Sequence, residues 1–525
     1  MNYSLAVLTA ILLILAFPRF DIVWLVPVAL APLLVAVARE PRPLRRFLLG
    51  YACGIVYWGG VCYWIDFVLS FYGGLGPVAG GAVFILFCLY KGLHMGVFAL
   101  VAGIAMRSPG AIPGVSALWV AIEVTHGPLA FAWLPLGNAG IDMGVPMRLA
   151  PYTGSMGLAL AVLRRPRRQL TWLLPLPLLI LLPRLPDFQP GKQVAVLAQP
   201  NISGTVDWTP QSLEKMEQRL VYLSMRAALA DKTQPPQLLI WPEVPAPLYS
   251  DDPRFLQMAA TTARVTQSHF LAGVVAHRPD GAPLNSALLV APSGEVVGRY
   301  DKVQLVPFGE YVPWPFGFAN KISTEIGDFK PGDKVVALPV GDHHIGTFIC
   351  YESVFPNFVR QFAANGAELL INISNDSWFD KSAARQQHLK IVRMRAAENR
   401  RWVLRSTNDG ITATIDPAGR LLGTLPEYVE SASRTGYSYP SVAWAFLPAR
   451  GCSQEGRRGV LAGDLIQRHG VLHDVAAFGR YGNVVEFLGV LHAVLRSNRR
   501  RPLAHLNIDQ PVDGVFVDTI QQGQP

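Results

Sequence analysis

Apolar residues crowd the first third of the chain and become periodic after it. Long apolar stretches run at 3–17, 22–38, 47–70, 77–106, 112–133, 146–163 and 169–185. A helix needs about 20 apolar residues to cross a bilayer core, so this pattern predicts a helical membrane domain over 1–190 with about seven spans. The first two and the sixth are short, and "PRFD" at 18–21 sets the first two up as a tight hairpin or a partly re-entrant pair. From 191 the pattern changes to short β-type runs: "KQVAVLAQP", "QLLIWPEVP", "HFLAGVVAHR", two runs flanking Pro292-Ser293-Gly294-Glu295, "HHIGTFIC" and "ELLINISN". Helical patterns fall at 210–231, 252–267, between the last two of those runs, and at 382–401, and a hairpin is expected around Asn408-Asp409-Gly410. This alternation predicts a layered α/β domain over 191–430.

Composition supports the division. Of 525 residues 51% are hydrophobic and 16% charged, a balance expected of a membrane protein. The net charge of +9 is clustered at Arg39, Arg42, Arg45 and Arg46, at Arg107, and at Arg164, Arg165, Arg167 and Arg168. Each cluster lies between apolar tracts, which fits loops that orient membrane helices and excludes a nucleic-acid face. Two spans separate successive clusters, so all three are expected to face the cytoplasm and the chain from 191 onward to be periplasmic or extracellular. "MNYS" and "LAFPRF" lack a signal-peptide cleavage pattern. Three of the five cysteines (Cys53, Cys62 and Cys88) lie in apolar tracts, and no ligand spacing for a metal or disulfide framework is present. Asp66 and Glu123 fall within apolar stretches, each read as lying near a helix end; a functional role competes there with simple interface exposure.

Three β runs end in polar residues: Glu243 in "WPEVP", Lys302 in "YDKVQLVPFGE" and Cys350 in "FICYE". A cysteine nucleophile needs a base or cation beside it. A carboxylate in a dry cleft can take the thiol proton, and an ammonium can stabilise thiolate and oxyanion alike. Each residue alone also has a plain structural role open to it. A Cys–His dyad is the competing arrangement. His344, six residues before Cys350 on the same run, is roughly 20 Å away along a straight strand. His388 could approach from another element, although nothing in the sequence requires it.

These segments resemble the nitrilase superfamily, whose members carry a Glu–Lys–Cys triad on an αββα sandwich. "LLIWPEVP", "YDKVQLVPFGEYVP", "ICYES", "NISNDSWF" and "RSTNDGITATIDPAG" together resemble the apolipoprotein N-acyltransferase family, over about residues 5–430. That resemblance implies a helical membrane domain joined to a nitrilase-like domain at the periplasmic face of the bacterial inner membrane. It implies Glu243 as general base, Lys302 as oxyanion stabiliser and Cys350 as nucleophile. Glu310, Tyr351 and Glu352 match supporting active-site residues, and Asn285, Trp208 and Trp378 match substrate-contact or active-site positions. His126 stands where the family is expected to carry Arg. The implied reaction moves an acyl chain from the sn-1 position of a phospholipid, phosphatidylethanolamine by expectation, through a Cys350 thioester to the α-amino group of a diacylated apolipoprotein. No metal or diffusible cofactor is called for.

From 431 the chain departs from the family pattern, which implies closing β structure and a final membrane helix. The tail is rich in Arg and Gly and holds no apolar run long enough to span a bilayer. We attribute it to a reading-frame change or gene rearrangement, and expect the domain to lack a late strand. Two other readings stay open: a membrane-anchored amidase in which water replaces the amine, and a non-catalytic scaffold or degenerate homologue.

Overall fold

A computed structural model describes residues 1–107, 111–129, 131–150, 191–204, 206–311 and 329–440, with isolated positions between 181 and 187. The sixth apolar stretch beyond 150, nearly all of the seventh, and the tail from 441 lie outside the described residues.

The amino-terminal region is helical: α1 (Asn2–Leu15), α2 (Ala31–Arg39), α3 (Pro43–Val61), α4 (Gly76–Ala105) and α5 (Ala111–Leu129). The stretch read as 22–38 is broken, with Val23–Leu25 and Val26–Ala29 as short turns of helix before α2. The stretch at 47–70 is also broken: after α3 the chain bends by 62° into Trp64–Tyr72. Among the described residues one helix, α4, is long and apolar enough to cross a membrane, and two are if the bent pair counts as one span. α3 and α4 pack through small residues: a Cβ at Gly54 would lie 2.8 Å from the Cα of Gly92, and one at Gly50 would strike the Met95 carbonyl. Small residues at such a seam let the two backbones approach closely. The opposite side of α4 leaves Val78, Ile85, Leu86, Leu89 and Leu93 exposed. Glu123 sits well inside α5 rather than near its end. It is buried, and its Oε1 accepts the Leu136 N–H at 2.5 Å.

The second region is a sandwich. Strands β1 (Gln193–Gln199), β2 (Leu238–Ile240), β3 (His269–His277), β4 (Pro283–Val290) and β5 (Val296–Asp301) form one sheet. β6 (Ala337–Val340), β7 (His343–Ile349), β8 (Leu369–Ser374), β9 (Val403–Thr407), β10 (Ala413–Ile415) and β11 (Leu421–Thr424) form the other, in the order β11-β10-β9-β8-β7-β6. Period-2 alternation sorts the first sheet's side chains. Ala195, Leu197, Leu238, Ile240 and Leu271 join one core with the second sheet, whereas Val196, Ala198, Leu239 and Phe270 pack beneath α6 (Pro210–Ala228) and α7 (Pro253–Thr266). Both faces are thus buried, which is why these runs read as almost continuously apolar. The sheets are stitched together by the Ser406 hydroxyl on β9, which donates to the Ala198 carbonyl at 2.7 Å. α8 (Pro356–Ala364) and α9 (Ala384–Asn399) complete the αββα order.

The domain does not end at 430. β12 (Ser431–Tyr437) pairs antiparallel with β1 from Gln199↔Ser431 to Gln193↔Tyr437, so the late strand expected to be missing is present and closes the first sheet. "SASRTGY" hides from pattern reading because it is small, polar and only half-buried. An edge strand bonded on one side needs no apolar alternation to hold its place.

Candidate active site

Glu243 follows β2, Lys302 follows β5 directly, and Cys350 follows β7 directly. The first two belong to one sheet and the third to the other, so the sandwich itself brings them together. Lys302 is the hub. Its Nζ lies 3.0 Å from Glu243 Oε1 and 2.9 Å from Glu310 Oε2, and the side chain is 1% exposed. Burial works against the ammonium, but the Glu243 and Glu310 carboxylates overcome it and hold the pKa well above the usual lysine value. Asn285 Nδ2 donates to Glu243 Oε1 and to Glu310 Oε1, each at 2.8 Å. Two carboxylates can face only the amide nitrogen, so this contact fixes the amide's orientation. Glu310 is further held by the Val306 N–H at 2.8 Å, and Glu243 Oε2 by the Asn375 N–H at 2.8 Å.

Cys350 has φ +49°, a left-handed conformation uncommon outside glycine. A sharp turn straight after a strand lifts the side chain off the sheet, as nucleophile elbows do. Burial pushes the thiol pKa up, the Glu243 charge pushes it further, and Lys302 pulls against both. A thiol held up in this way ionises only with a proton acceptor beside it. Gly273 on β3 makes room for the Glu243 segment: a Cβ there would sit 2.8 Å from the Glu243 Cα.

The two residues after the cysteine do different work. The Tyr351 hydroxyl accepts the Ala132 N–H at 3.2 Å, and its ring stacks on Phe131 with centroids 5.2 Å apart, so the Cys350 turn touches the helical region. Glu352 points the other way, beneath the turn. Its Oε1 accepts from the Tyr300 hydroxyl at 2.7 Å and from the Val303 and Gln304 N–H groups, and its Oε2 accepts from the Ile349 N–H at 2.7 Å. It thereby ties the Lys302 segment to the Cys350 turn. Burial pushes its carboxyl up to about 7 against these donors. A folded-state pKa above the ordinary value means that stability from this group is complete below about pH 4.5 and lost as pH rises through about 7. In Glu352→Gln an NH2 must confront one of those donors, and an unmatched buried donor costs about 1–3 kcal/mol. Thermal unfolding should show a lower midpoint for the variant, with the gap to wild type narrowing between pH 5 and pH 7.5.

The other sequence candidates are more scattered. Trp208 and Trp378 are partly exposed, and neither has a hydrogen bond to the Lys302 cluster among the described residues; Trp378 packs on Tyr72 of the helical region with centroids 4.9 Å apart. His126 meets His94 and Trp58 inside the helical region. Asp66 receives a long contact from the Ser70 hydroxyl at 3.5 Å. His344 stays near the outer end of β7, where its N–H donates to Glu368. His388 does approach Cys350, but at its backbone: Nε2 lies 3.1 Å from the Cys350 carbonyl oxygen. Sequence reading missed the roles of Gly273, Asn375, Asp376 and Gln387; only "NISNDSWF", read as a family segment, had flagged two of them.

Residues 193–435 match the carbon-nitrogen hydrolase family, and residues 9–164 match the apolipoprotein N-acyltransferase N-terminal domain. An apolipoprotein N-acyltransferase of Geobacter metallireducens is 36% identical over 462 residues, covering 82% of this chain and 88% of the relative. The chain belongs to the apolipoprotein N-acyltransferase family. The family member from Pseudomonas syringae pv. tomato is 31% identical, covering 79% of this chain and 86% of its own length. Among solved structures, an amidase from Nesterenkonia sp. superposes with TM-score 0.36 at 22% identity, over 47% of this chain and 91% of that one. Family membership makes the chain an enzyme, an acyltransferase whose carbon-nitrogen hydrolase domain runs past residue 430, in agreement with β12.

Proposed function

We propose that this acyltransferase moves an acyl chain from the sn-1 position of a phospholipid to the α-amino group of the S-diacylglyceryl cysteine of apolipoproteins, with Cys350 carrying the acyl group in between. The observation that carries the reading is the junction at Tyr351. The thiol-bearing turn, flanked by a carboxylate and an ammonium, abuts residues 131–132 of a helical region whose α4 turns apolar side chains outward. A site so placed meets substrates whose acyl chains lie in lipid.

Glu243 takes the Cys350 proton as the thiolate attacks the sn-1 ester carbonyl. Lys302, the one cation in hydrogen-bond contact with Glu243 among the described residues, stabilises the tetrahedral oxyanion. Collapse breaks the ester C–O bond. The departing alkoxide recovers the proton from Glu243 and leaves as lysophospholipid. In the second half, the neutral α-amine attacks the thioester, Glu243 accepts a proton from nitrogen and returns it to the Cys350 sulfur, and the products are amide and free enzyme. Phosphatidylethanolamine is the donor we favour. Asn285 and Glu310 keep Lys302 and Glu243 aligned, while Trp208 and Trp378 contribute aromatic surface for substrate. We place the helical region across the bacterial inner membrane in several passes, with the catalytic domain in the periplasm, because the basic clusters fall on one side of the apolar stretches.

The test is acyl-enzyme formation in detergent-solubilised full-length protein given phospholipid labelled in its sn-1 chain, without acceptor. A hydroxylamine-labile label mapping to Cys350, discharged on adding a diacylated lipopeptide, is expected. Label that decays to free fatty acid at the same rate with or without lipopeptide would instead make the protein a hydrolase.

A further inference from the structure

α9 carries Arg385, Gln387, His388, Lys390 and Arg395, all buried. So polar a helix is buried only when partners meet it on several sides. Gln387 faces the helical region. Its Nε2 donates to the carbonyls of Pro18 at 2.8 Å and Val61 at 3.1 Å, and its Oε1 accepts from the indole N–H groups of Trp133 at 2.8 Å and Trp64 at 3.3 Å. Two donors and two acceptor sites exhaust what a glutamine amide offers. On the same side Lys390 pairs with Asp21 and Asp142, and Arg393 pairs with Asp142 at 2.6 Å.

The next residue, about 100° further round the helix, is His388. Its Nδ1 lies 3.1 Å from Asp376 Oδ1, and its Nε2 lies 3.1 Å from the Cys350 carbonyl and 3.0 Å from the Ser353 hydroxyl. Asp376 Oδ2 accepts from Arg405 at 2.6 Å, and Arg405 in turn reaches Asn372. Ser353, His388 and Asp376 have the connectivity of a hydrolase triad. All three are 0% exposed and the carboxylate is already ion-paired, so no substrate reaches Ser353. What the histidine holds instead is a carbonyl, which can only accept, so Nε2 donates to it. That carbonyl belongs to the residue at φ +49°, a conformation that a non-glycine residue keeps only if its surroundings enforce it.

We propose that Gln387 and His388 form a positioning couple: Gln387 seats α9 on the helical region, and His388 transmits that seat to the Cys350 turn, so that acylation of Cys350 depends on the two regions being docked. This rests on Cys350 being the nucleophile. The amide reads the helical region through four groups drawn from three separate segments of it. The imidazole one residue later reads the nucleophile. Neither touches the Lys302 cluster by any hydrogen bond among the described residues.

The test measures thioester formation from labelled phospholipid in full-length, detergent-solubilised wild type, Gln387→Met, His388→Leu, His388→Gln and the double variant Gln387→Met/His388→Leu, with rates scaled to the folded fraction. Gln387→Met should lower the maximal acylation rate about tenfold, as a small misplacement of a reacting group does. The half-saturating donor concentration should move less than about twofold, because the change lies away from the substrate. His388→Gln, which can still donate to the carbonyl, should keep more of the rate than His388→Leu. The double variant should be no slower than the slower single, since both act through one chain of contacts. If Gln387→Met does not fold, Trp133→Phe removes one of its partners and keeps the ring; a milder loss of maximal rate is then expected. Full maximal rate in Gln387→Met or Trp133→Phe, or single effects that multiply in the double variant, would overturn the coupling. Wild type that forms no thioester would instead sink the reading of Cys350 on which the proposal stands.

Discussion

Cys350→Ala is expected to form no thioester and to lose at least about 10⁴-fold in turnover, the scale seen when a covalent nucleophile is deleted. The cause is chemical, because among the described groups at the site the Cys350 thiol is the one that can form a thioester. The Lys302 cluster is one ammonium, two carboxylates and an amide, and Ser353 is sealed beneath the turn. The fold should survive. Cysteine and alanine at φ +49° carry a similar backbone penalty, and the side-chain change is a single sulfur atom. Mass spectrometry of the intact protein after exposure to donor phospholipid reads the acyl adduct directly, and thermal unfolding checks the fold. An adduct persisting in Cys350→Ala would place the nucleophile elsewhere.

Lys302→Met should be damaging in two separable ways. Removing the cation leaves Glu243 and Glu310 sharing one amide nitrogen with no positive charge between them. Breaking a buried ion pair from one side costs about 3–5 kcal/mol. Losing the oxyanion's cation should slow acylation by a further 10²–10³-fold or so. The stability loss has a pH signature. With the lysine gone, one carboxylate is pressed to bind a proton, its folded-state pKa rises above the unfolded value, and stability recovers as pH falls. The unfolding midpoint of Lys302→Met should therefore approach that of wild type toward pH 5 and fall away toward pH 8. Adding Glu310→Gln should restore much of the stability without restoring acylation. A variant that regained both would show that Lys302 serves only to neutralise its neighbours.

How much of this was legible beforehand can be judged strand by strand. β1, β3, β4, β7 and β8 are apolar runs bounded by turn residues, and the structure puts them within a residue or two of the boundaries expected. The three polar residues at strand ends were visible because a run that stops in Glu, Lys or Cys breaks its own pattern. β12 was invisible because it has no such pattern. The bend after Val61 was equally hidden, whereas the break at 22–38 was signalled by Pro27 and Pro32, which apolar length alone does not register.

The chain's own letters determined the kinds of element, the residue types at the strand ends and, through five short segments, the family. Those signals are local, set by side-chain periods of 2 and 3.6 and by what a backbone tolerates at each turn. Tertiary structure alone decided who meets whom. Glu243 and Lys302 stand 59 positions apart, and Gln387 stands 369 positions from Pro18. Their contacts exist because two sheets stack back to back and α9 is wedged between the thiol turn and the helical region. It also decided protonation, since the same thiol and carboxyl would titrate normally in water and are shifted only by burial and by the charges packed beside them.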